Sequence, residues 1–148
     1  MLNIKIKVLV VDNFPISRKI MRTLLEGLGF EYIEDAGDGY HALKILQENN
    51  DFGLVLSECD MPVMNGVDLL KHVRGDESLK DLPFILITAK AEKDKIIEAI
   101  KAGVDNYILK PFAAEGLRER LNKVAQKRPS LTILFHSIVE EEAALTVF

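Results

Sequence analysis

The strongest constraint on the fold is an alternation that recurs along most of the chain, in which a short apolar run is followed by a stretch with helical periodicity. The apolar runs occupy residues 4–11, 32–34, 54–57, 83–88 and 106–109. Parallel strands need crossover connections, and helices between the runs supply them. The alternation therefore predicts an α/β fold with a doubly wound, five-stranded parallel sheet covered by helices on both faces.

The first helical stretch has the clearest apolar repeat. Pro15 suits the first turn of a helix, and Gly29 is placed to end it. A repeat of four residues then predicts one buried stripe, formed by Ile16, Ile20, Leu24 and Leu28. The four later helical stretches carry apolar residues at Ala42, Leu43 and Leu46; Val67, Leu70 and Val73; Ile96, Ile97 and Ile100; and Leu117, Leu121 and Val124.

Composition limits the kind of protein to an ordinary globular one. The 148 residues suit one domain, with 48% hydrophobic and 28% charged residues. A formal net charge of -4 provides no broad basic field, so we expect no nucleic-acid binding. Cys59 stands alone, and the start of the chain shows neither a secretory signal nor a membrane-length apolar run. We therefore expect a cytoplasmic protein without membrane insertion.

Polar residues follow four of the predicted strands at the point where each strand ends: Asp12 with Asn13, then Glu58, Thr88 and Lys110. In an open parallel sheet, ligands bind beyond the carboxyl ends of the strands. Taken singly, such residues are more often caps and turns than site residues. Together they suit a divalent cation and an anionic group, since carboxylates are ligands for Mg²⁺ while a lysine and a hydroxyl hold phosphoryl oxygens.

Four segments carry a resemblance to a known family: VLVVDN at 8–13, LVLSECDMPVMNG at 54–66, ILITAK at 85–90 and YILKPF at 107–112. With them the chain resembles the response-regulator receiver family, especially its single-domain chemotaxis members of the CheY type. The resemblance covers roughly residues 5–127. It implies a flavodoxin-like (βα)5 fold with strand order 2-1-3-4-5.

The resemblance also implies roles for individual residues. Asp12, Asn13, Glu58 and the backbone carbonyl of Asp60 would surround Mg²⁺, and the phosphate-accepting aspartate of the family aligns with Glu58. The phosphoryl-binding and switch residues would be Thr88, Ala89, Tyr107 and Lys110. A histidine kinase or phosphotransfer protein would donate the phosphate. The surface near the fourth helix, fifth strand and fifth helix would then bind a downstream protein target.

Two positions depart from the family pattern. The extra methylene of Glu58 moves the carboxylate by more than about 1 Å relative to aspartate, and such a displacement lowers a rate roughly 100-fold. Asn13 stands where the family has a second acid, and its uncharged amide weakens Mg²⁺ binding. Glu58 has an alternative role, in which its carboxylate reaches Lys110 and Thr88 and imitates part of the charge of a phosphorylated aspartate.

These observations favour a non-enzymatic receiver for two-component phosphorelay signalling that switches partner binding, with phosphotransfer impaired or mimicked by Glu58. One alternative is a phosphate-independent pseudo-receiver scaffold. Another is a small Mg²⁺-dependent phosphohydrolase that uses Asp12, since a fold does not assign a function. The predicted receiver domain spans residues 1–128. The apolar extension at 129–148 packs on the domain, mediates a dimer or is an interrupted linker.

Three further signals are interpreted as structural. The glycine-containing segment at 37–42 follows the weakest strand and lacks a full dinucleotide-binding pattern. His41, His72 and His136 have no metal-ligand spacing. Cys59 has no evident catalytic partner in the sequence.

Overall fold

The computed structural model describes residues 2–132, and these form a five-stranded parallel sheet with helices between the strands. The strands are β1 (Lys7–Val11), β2 (Tyr32–Ala36), β3 (Phe52–Glu58), β4 (Phe84–Thr88) and β5 (Asn106–Leu109). The helices are α1 (Pro15–Gly27), α2 (Gly39–Glu48), α3 (Gly66–Gly75), α4 (Lys93–Lys101) and α5 (Ala114–Lys127). The strand order is β2-β1-β3-β4-β5, which confirms the predicted doubly wound, flavodoxin-like fold.

Two apolar clusters cover the two faces of the sheet. Alternate residues of a strand point to opposite faces, so Leu9 of β1 joins one cluster while Val8 and Val10 join the other. The first cluster packs against α2, α3 and α4, and the second against α1 and α5. All five residues of β4 are buried, as expected for a strand with helices on both sides.

The buried face of α1 differs from the predicted stripe. Met21 and Leu25 are the buried residues of this helix, whereas Ile16 is 75% exposed and Ile20 57% exposed. The prediction was wrong for Ile16 and Ile20, because a helix has 3.6 residues per turn and a repeat of four rotates by about 40° at each step. Three such steps, about 120° in all, carry the repeat off a single face, so Ile16 and Ile20 point into solvent while Leu24 and Leu28 are partly buried against the second cluster.

Local signals position the loops beside the sheet edge. Asn65 begins α3 with a capping box, in which its side chain accepts a 2.8 Å hydrogen bond from the N–H of Asp68. Gly66 follows, and a Cβ there would overlap the backbone oxygen of Glu58. Glycine at this position therefore lets the loop after β3 pack directly against the end of that strand. Gly103, with φ of +92°, follows the end of α4 as predicted.

The start of the predicted C-terminal extension packs on the domain. A short 3-10 helix, Pro129–Leu131, buries Leu131, and the N–H of Asn3 donates a 2.6 Å hydrogen bond to the Leu131 carbonyl. Residues 133–148, including His136, lie outside the described residues, and the alternatives for the extension remain predictions. Among residues 2–132, no helix has both the length and the apolar character needed to span a bilayer.

Candidate functional site

Three of the predicted site residues meet at the carboxyl edge of the sheet. Asp12 follows β1, Glu58 ends β3, and Lys110 follows β5. Lys110 Nζ lies 2.8 Å from Oε2 of Glu58 and 3.3 Å from Oδ2 of Asp12. The backbone of Lys110 is fixed beside β4, because its N–H donates a 2.8 Å hydrogen bond to the carbonyl of Thr88 at the end of that strand. Separate strand ends thus contribute to one ion-pair cluster.

The cluster places charged groups where water is scarce. Glu58 is only 8% exposed, and this burial raises the pKa of its carboxyl above the usual value, although contact with Lys110 opposes the shift. Burial lowers the pKa of Lys110, but the carboxylates of Glu58 and Asp12 outweigh burial, so its net pKa is raised. The ammonium is therefore charged at neutral pH, and it offsets part of the negative charge of the two acids.

Two buried oxygens at this edge fit a cation site. Within the described part of the chain, Asn13 Oδ1 and Glu58 Oε2 are buried side-chain atoms with no directed hydrogen bond. Glu58 Oε2 nevertheless lies 2.8 Å from Nζ of Lys110 and is engaged in that ion pair. Hard oxygen atoms of this kind are ligands for Mg²⁺. No cluster of three or more Asp, Glu, His or Cys residues suited to a metal occurs in residues 2–132.

The carboxylate of Asp60 faces α4 instead of the cluster. Its Oδ1 lies 2.6 Å from Nζ of Lys95, and the hydroxyl of Thr88 donates a 3.4 Å hydrogen bond to its Oδ2. The hydrogen bond from Lys95 is the main reason that the pKa of Asp60 is lowered. The backbone of Asp60 stays near Glu58, since its N–H donates a 3.5 Å hydrogen bond to Oε1. Sequence reasoning missed Lys95.

The predicted switch residues lie on the neighbouring strands. Thr88 is buried at the end of β4, and its hydroxyl accepts a 3.3 Å hydrogen bond from the N–H of Lys90, while Ala89 between them is exposed. Tyr107 in β5 has a buried hydroxyl without a hydrogen-bond partner among the residues described. Burial, with Cys59 nearby, raises the pKa of Tyr107 to about 12. The tyrosine ring therefore points inward.

Cys59 has a structural environment, as the sequence suggested. It is buried in the core cluster beside α3, and burial raises the pKa of its thiol. A neutral, enclosed thiol is a poor nucleophile.

Comparison with known proteins identifies the family. A sequence model described as the response regulator receiver domain matches residues 8–122. The chain is 47% identical over 126 residues to chemotaxis protein CheY-3 of Vibrio cholerae serotype O1, which covers 85% of this chain and 96% of that protein.

Solved structures agree with this assignment. The fold is similar to that of Vibrio cholerae chemotaxis protein CheY4, with a TM-score of 0.75 and 32% identity, over 81% of this chain and 98% of that one. It also matches the receiver domain of a sensor histidine kinase from Pseudomonas aeruginosa PAO1, which has a magnesium ion coordinated in its active-site cleft. That match has a TM-score of 0.72 and 24% identity, and it covers 82% of this chain and 98% of the other. The chain belongs to the response regulator receiver domain family, as a CheY-type receiver domain of two-component signalling.

Proposed function

We propose that this receiver domain transmits its signal through an ion pair between Glu58 and Lys110, and that phosphotransfer to Glu58 is impaired. The observation that carries the proposal is the 2.8 Å contact between Lys110 Nζ and the buried carboxylate of Glu58. In a phosphorylated receiver, the resemblance assigns the lysine to the phosphoryl group. In this protein the carboxylate of Glu58 already forms an ion pair with Lys110 in the absence of phosphate.

The length of the glutamate side chain explains why phosphotransfer suffers. One more methylene than aspartate carries the carboxylate toward Lys110, into a contact that an incoming phosphoryl donor would have to displace. A displacement of about 1 Å lowers a rate roughly 100-fold. Acyl phosphate formation at Glu58 is therefore slow compared with the same reaction at an aspartate.

The same contact supports partial mimicry of the phosphorylated state. Glu58 brings a negative charge to Lys110 without any phosphate, and the Tyr107 ring already points inward with its hydroxyl buried. The resemblance associates an inward aromatic residue with the signalling arrangement. This orientation also favours the second candidate function, a phosphate-independent pseudo-receiver that binds its target constitutively.

Magnesium is the cofactor that this edge would hold. Asp12, Asn13, Glu58 and the backbone carbonyl of Asp60 supply the oxygen ligands, and a relative of the same fold coordinates magnesium in its cleft. The ion would neutralise charge on phosphoryl oxygens near the acidic residues. Because Asn13 is uncharged and the Asp60 carboxylate is paired with Lys95, affinity for Mg²⁺ is lower than in a receiver with a full acidic pair.

The partners follow from the same assignment. The donor is a histidine kinase or phosphotransfer protein, and the target is a protein that binds the face formed by α4, β5 and α5. Apolar side chains are exposed on this face at Ile97, Ile100 and Leu109. Tyr107 lies in β5 of the same face, so its orientation can change what a target contacts.

Labelling with acetyl phosphate tests the proposal. We incubate wild type, Glu58→Asp and Glu58→Gln with acetyl phosphate and MgCl2, and follow the gain of one phosphoryl group by intact-mass spectrometry. Glu58→Asp should label at least about 100-fold faster than wild type, and Glu58→Gln should not label. Labelling of wild type at the rate of Glu58→Asp would refute impaired transfer.

Amide spectra separate mimicry from a scaffold that ignores Glu58. If the carboxylate mimics phosphate, Glu58→Gln should shift the amide resonances of β5 and α4 without labelling. The β5 and α4 resonances of Glu58→Asp should move toward the wild-type positions when acetyl phosphate and MgCl2 are added. Those of Glu58→Gln should not respond to the same addition. A Glu58→Gln spectrum that is unchanged in β5 and α4 would support the scaffold instead.

A further inference from the structure

A groove of about 350 Å³ lies between the segment before β1, the end of α1 and α5. Its apolar lining comes from Leu2, Ile4 and Leu28, which are only partly buried. Its polar lining comes from Arg118 and Asn122 of α5. Because two of the lining residues precede β1, the groove lies away from the ion-pair cluster, which follows the strands.

The described chain ends beside this groove. Thr132 forms an antiparallel bridge with Leu2, one of the lining residues. The N–H of Asn3 donates a 2.6 Å hydrogen bond to the Leu131 carbonyl, which fixes the two chain segments side by side. The sequence continues through residues 133–148. Its next residues therefore start next to the apolar lining, with no linker to span.

The sequence after Thr132 matches the groove in character. Five of its first seven residues are apolar: Ile133, Leu134, Phe135, Ile138 and Val139. An acidic run follows at 140–142. A cavity of about 150 Å³ binds benzene, so the larger groove has room for an aromatic ring together with an aliphatic side chain. Contact between the two apolar surfaces removes both from water, which favours binding.

The polar lining of the groove suits the acidic run. Nε of Arg118 lies 3.7 Å from Oε2 of Glu115, which is a long ion pair, and half of the arginine side chain is exposed. Its guanidinium can therefore accept a further carboxylate as a partner. From Thr132 to Glu140 an extended chain spans at most about 28 Å, so the acidic run can reach α5 while the apolar residues fill the groove.

We propose that this groove holds residues 133–139 of the same chain, with the acidic run at 140–142 beside Arg118. This arrangement leaves the proposed target face open. Positions 118 and 120 are about 200° apart around a helix, and Arg120 donates a 3.4 Å hydrogen bond to Asn106 of β5 on that other flank. The extension then joins the segment before β1 to α5, and its binding requires neither phosphate nor magnesium.

A spin label in the extension tests whether it lies in the groove. Ser137→Cys in the full chain provides the attachment point, because the native Cys59 is buried and the pKa of its thiol is raised. The nitroxide should broaden the amide resonances of Leu2, Leu28 and Asn122, which line the groove. Resonances of α3, which packs on the opposite face of the sheet, should keep their intensity. Equal broadening of both sets, or broadening of neither, would overturn the proposal.

A mixed sample identifies whose extension fills the groove. Unsubstituted chain labelled with ¹⁵N is mixed with spin-labelled chain that carries no ¹⁵N. The groove resonances should keep their intensity in this mixture, since each groove holds the extension of its own chain. Broadening in the mixture would show that a second copy supplies the segment, and it would refute the intramolecular arrangement.

Matched substitutions in the spin-labelled chain test which part of the extension binds. Leu134→Ser with Phe135→Ser removes two large apolar side chains from the proposed stretch and leaves residues 2–132 unaltered. Leu145→Ser with Val147→Ser makes the same kind of change beyond that stretch. The first pair should abolish the broadening of the groove resonances, and the second pair should preserve it. Similar broadening in the two variants would contradict the proposal.

The charge of α5 is tested in the same way. Arg118→Gln should reduce the loss of intensity at Asn122, because the acidic run loses its partner. Arg120→Gln removes the same charge from the other flank of α5 and should have no such effect. Equal effects of the two substitutions would refute the placement of the acidic run.

Discussion

Replacing Lys110 by methionine should destabilise the protein in a way that depends on pH. Methionine keeps an unbranched, apolar side chain of similar length but removes the ammonium that lies 2.8 Å from Glu58 and 3.3 Å from Asp12. Two buried carboxylates would then share the edge without the lysine. The expected loss is in the free energy of unfolding, and it is largest at neutral pH.

The magnitude follows from how deeply the groups are buried. Removing one partner of a buried ion pair costs about 3–5 kcal/mol, because the other charge stays buried. The Lys110 side chain is 31% exposed, so water already screens its end of the pair. A carboxyl can also take up a proton and lose its charge. We therefore expect a loss of about 2–3 kcal/mol at neutral pH.

The sign of the pH dependence comes from Glu58. Burial has already raised its folded pKa above the usual value of 4.5, and removal of Lys110 raises it further. A carboxyl with a raised folded pKa destabilises the fold when ionised, and this penalty disappears as pH falls through the folded pKa toward the unfolded value. The cost of Lys110→Met should therefore shrink between neutral pH and pH 4.5. Glu58→Gln in the same chain should restore part of the loss.

Urea unfolding followed by circular dichroism measures these differences, since the chain has no tryptophan. Lys95→Met is the matched control, because Lys95 forms an equally short pair with Asp60 but both side chains are substantially exposed. This control should lose less than about 1 kcal/mol. A loss below about 1 kcal/mol for Lys110→Met, or a loss that is constant with pH, would refute the reasoning.

Three further predictions concern stability in the same assay. Arg74→Met should cost about 3 kcal/mol, because Arg74 donates to three backbone carbonyls and to the buried Asp105; a loss under about 1 kcal/mol would contradict this. Val63→Asn should stabilise by about 1 kcal/mol, since this β-branched residue is 88% exposed at φ of +68°, where asparagine is better tolerated; lower stability would count against it. Glu58→Gln should be more stable than wild type at neutral pH, and the difference should vanish below pH 4.5; a difference independent of pH would disprove the assignment.

The sheet could be predicted because its central strands have no alternative environment. A run such as β4, in which every residue is buried, is typical of a strand with helices on both faces. The edge strand β2 was harder, and the predicted run of 32–34 is shorter than Tyr32–Ala36. Its Glu34 and Asp35 are exposed, so they carry no apolar signal even though their backbone pairs with β1.

The site could be predicted as far as topology determines it. Carboxyl ends of parallel strands share one edge, so Asp12, Glu58 and Lys110 had to be neighbours once the strands were known. The pairing of Asp60 with Lys95 was beyond prediction, because long exposed lysine side chains have many rotamers and the segment after β4 contains several of them.

The error on α1 shows which information a helical pattern lacks. A repeat establishes the period of a helix, but its rotation about its own axis depends on what the neighbouring elements offer. Met21 and Leu25 pack against the sheet and α5. Ile16 and Ile20 are therefore left in solvent, although they belong to the predicted repeat of four. These two isoleucines therefore contribute little to the stability of the core. The two differ in their surroundings, because Ile20 lines a pocket between α1 and the loop after β5 whereas Ile16 does not.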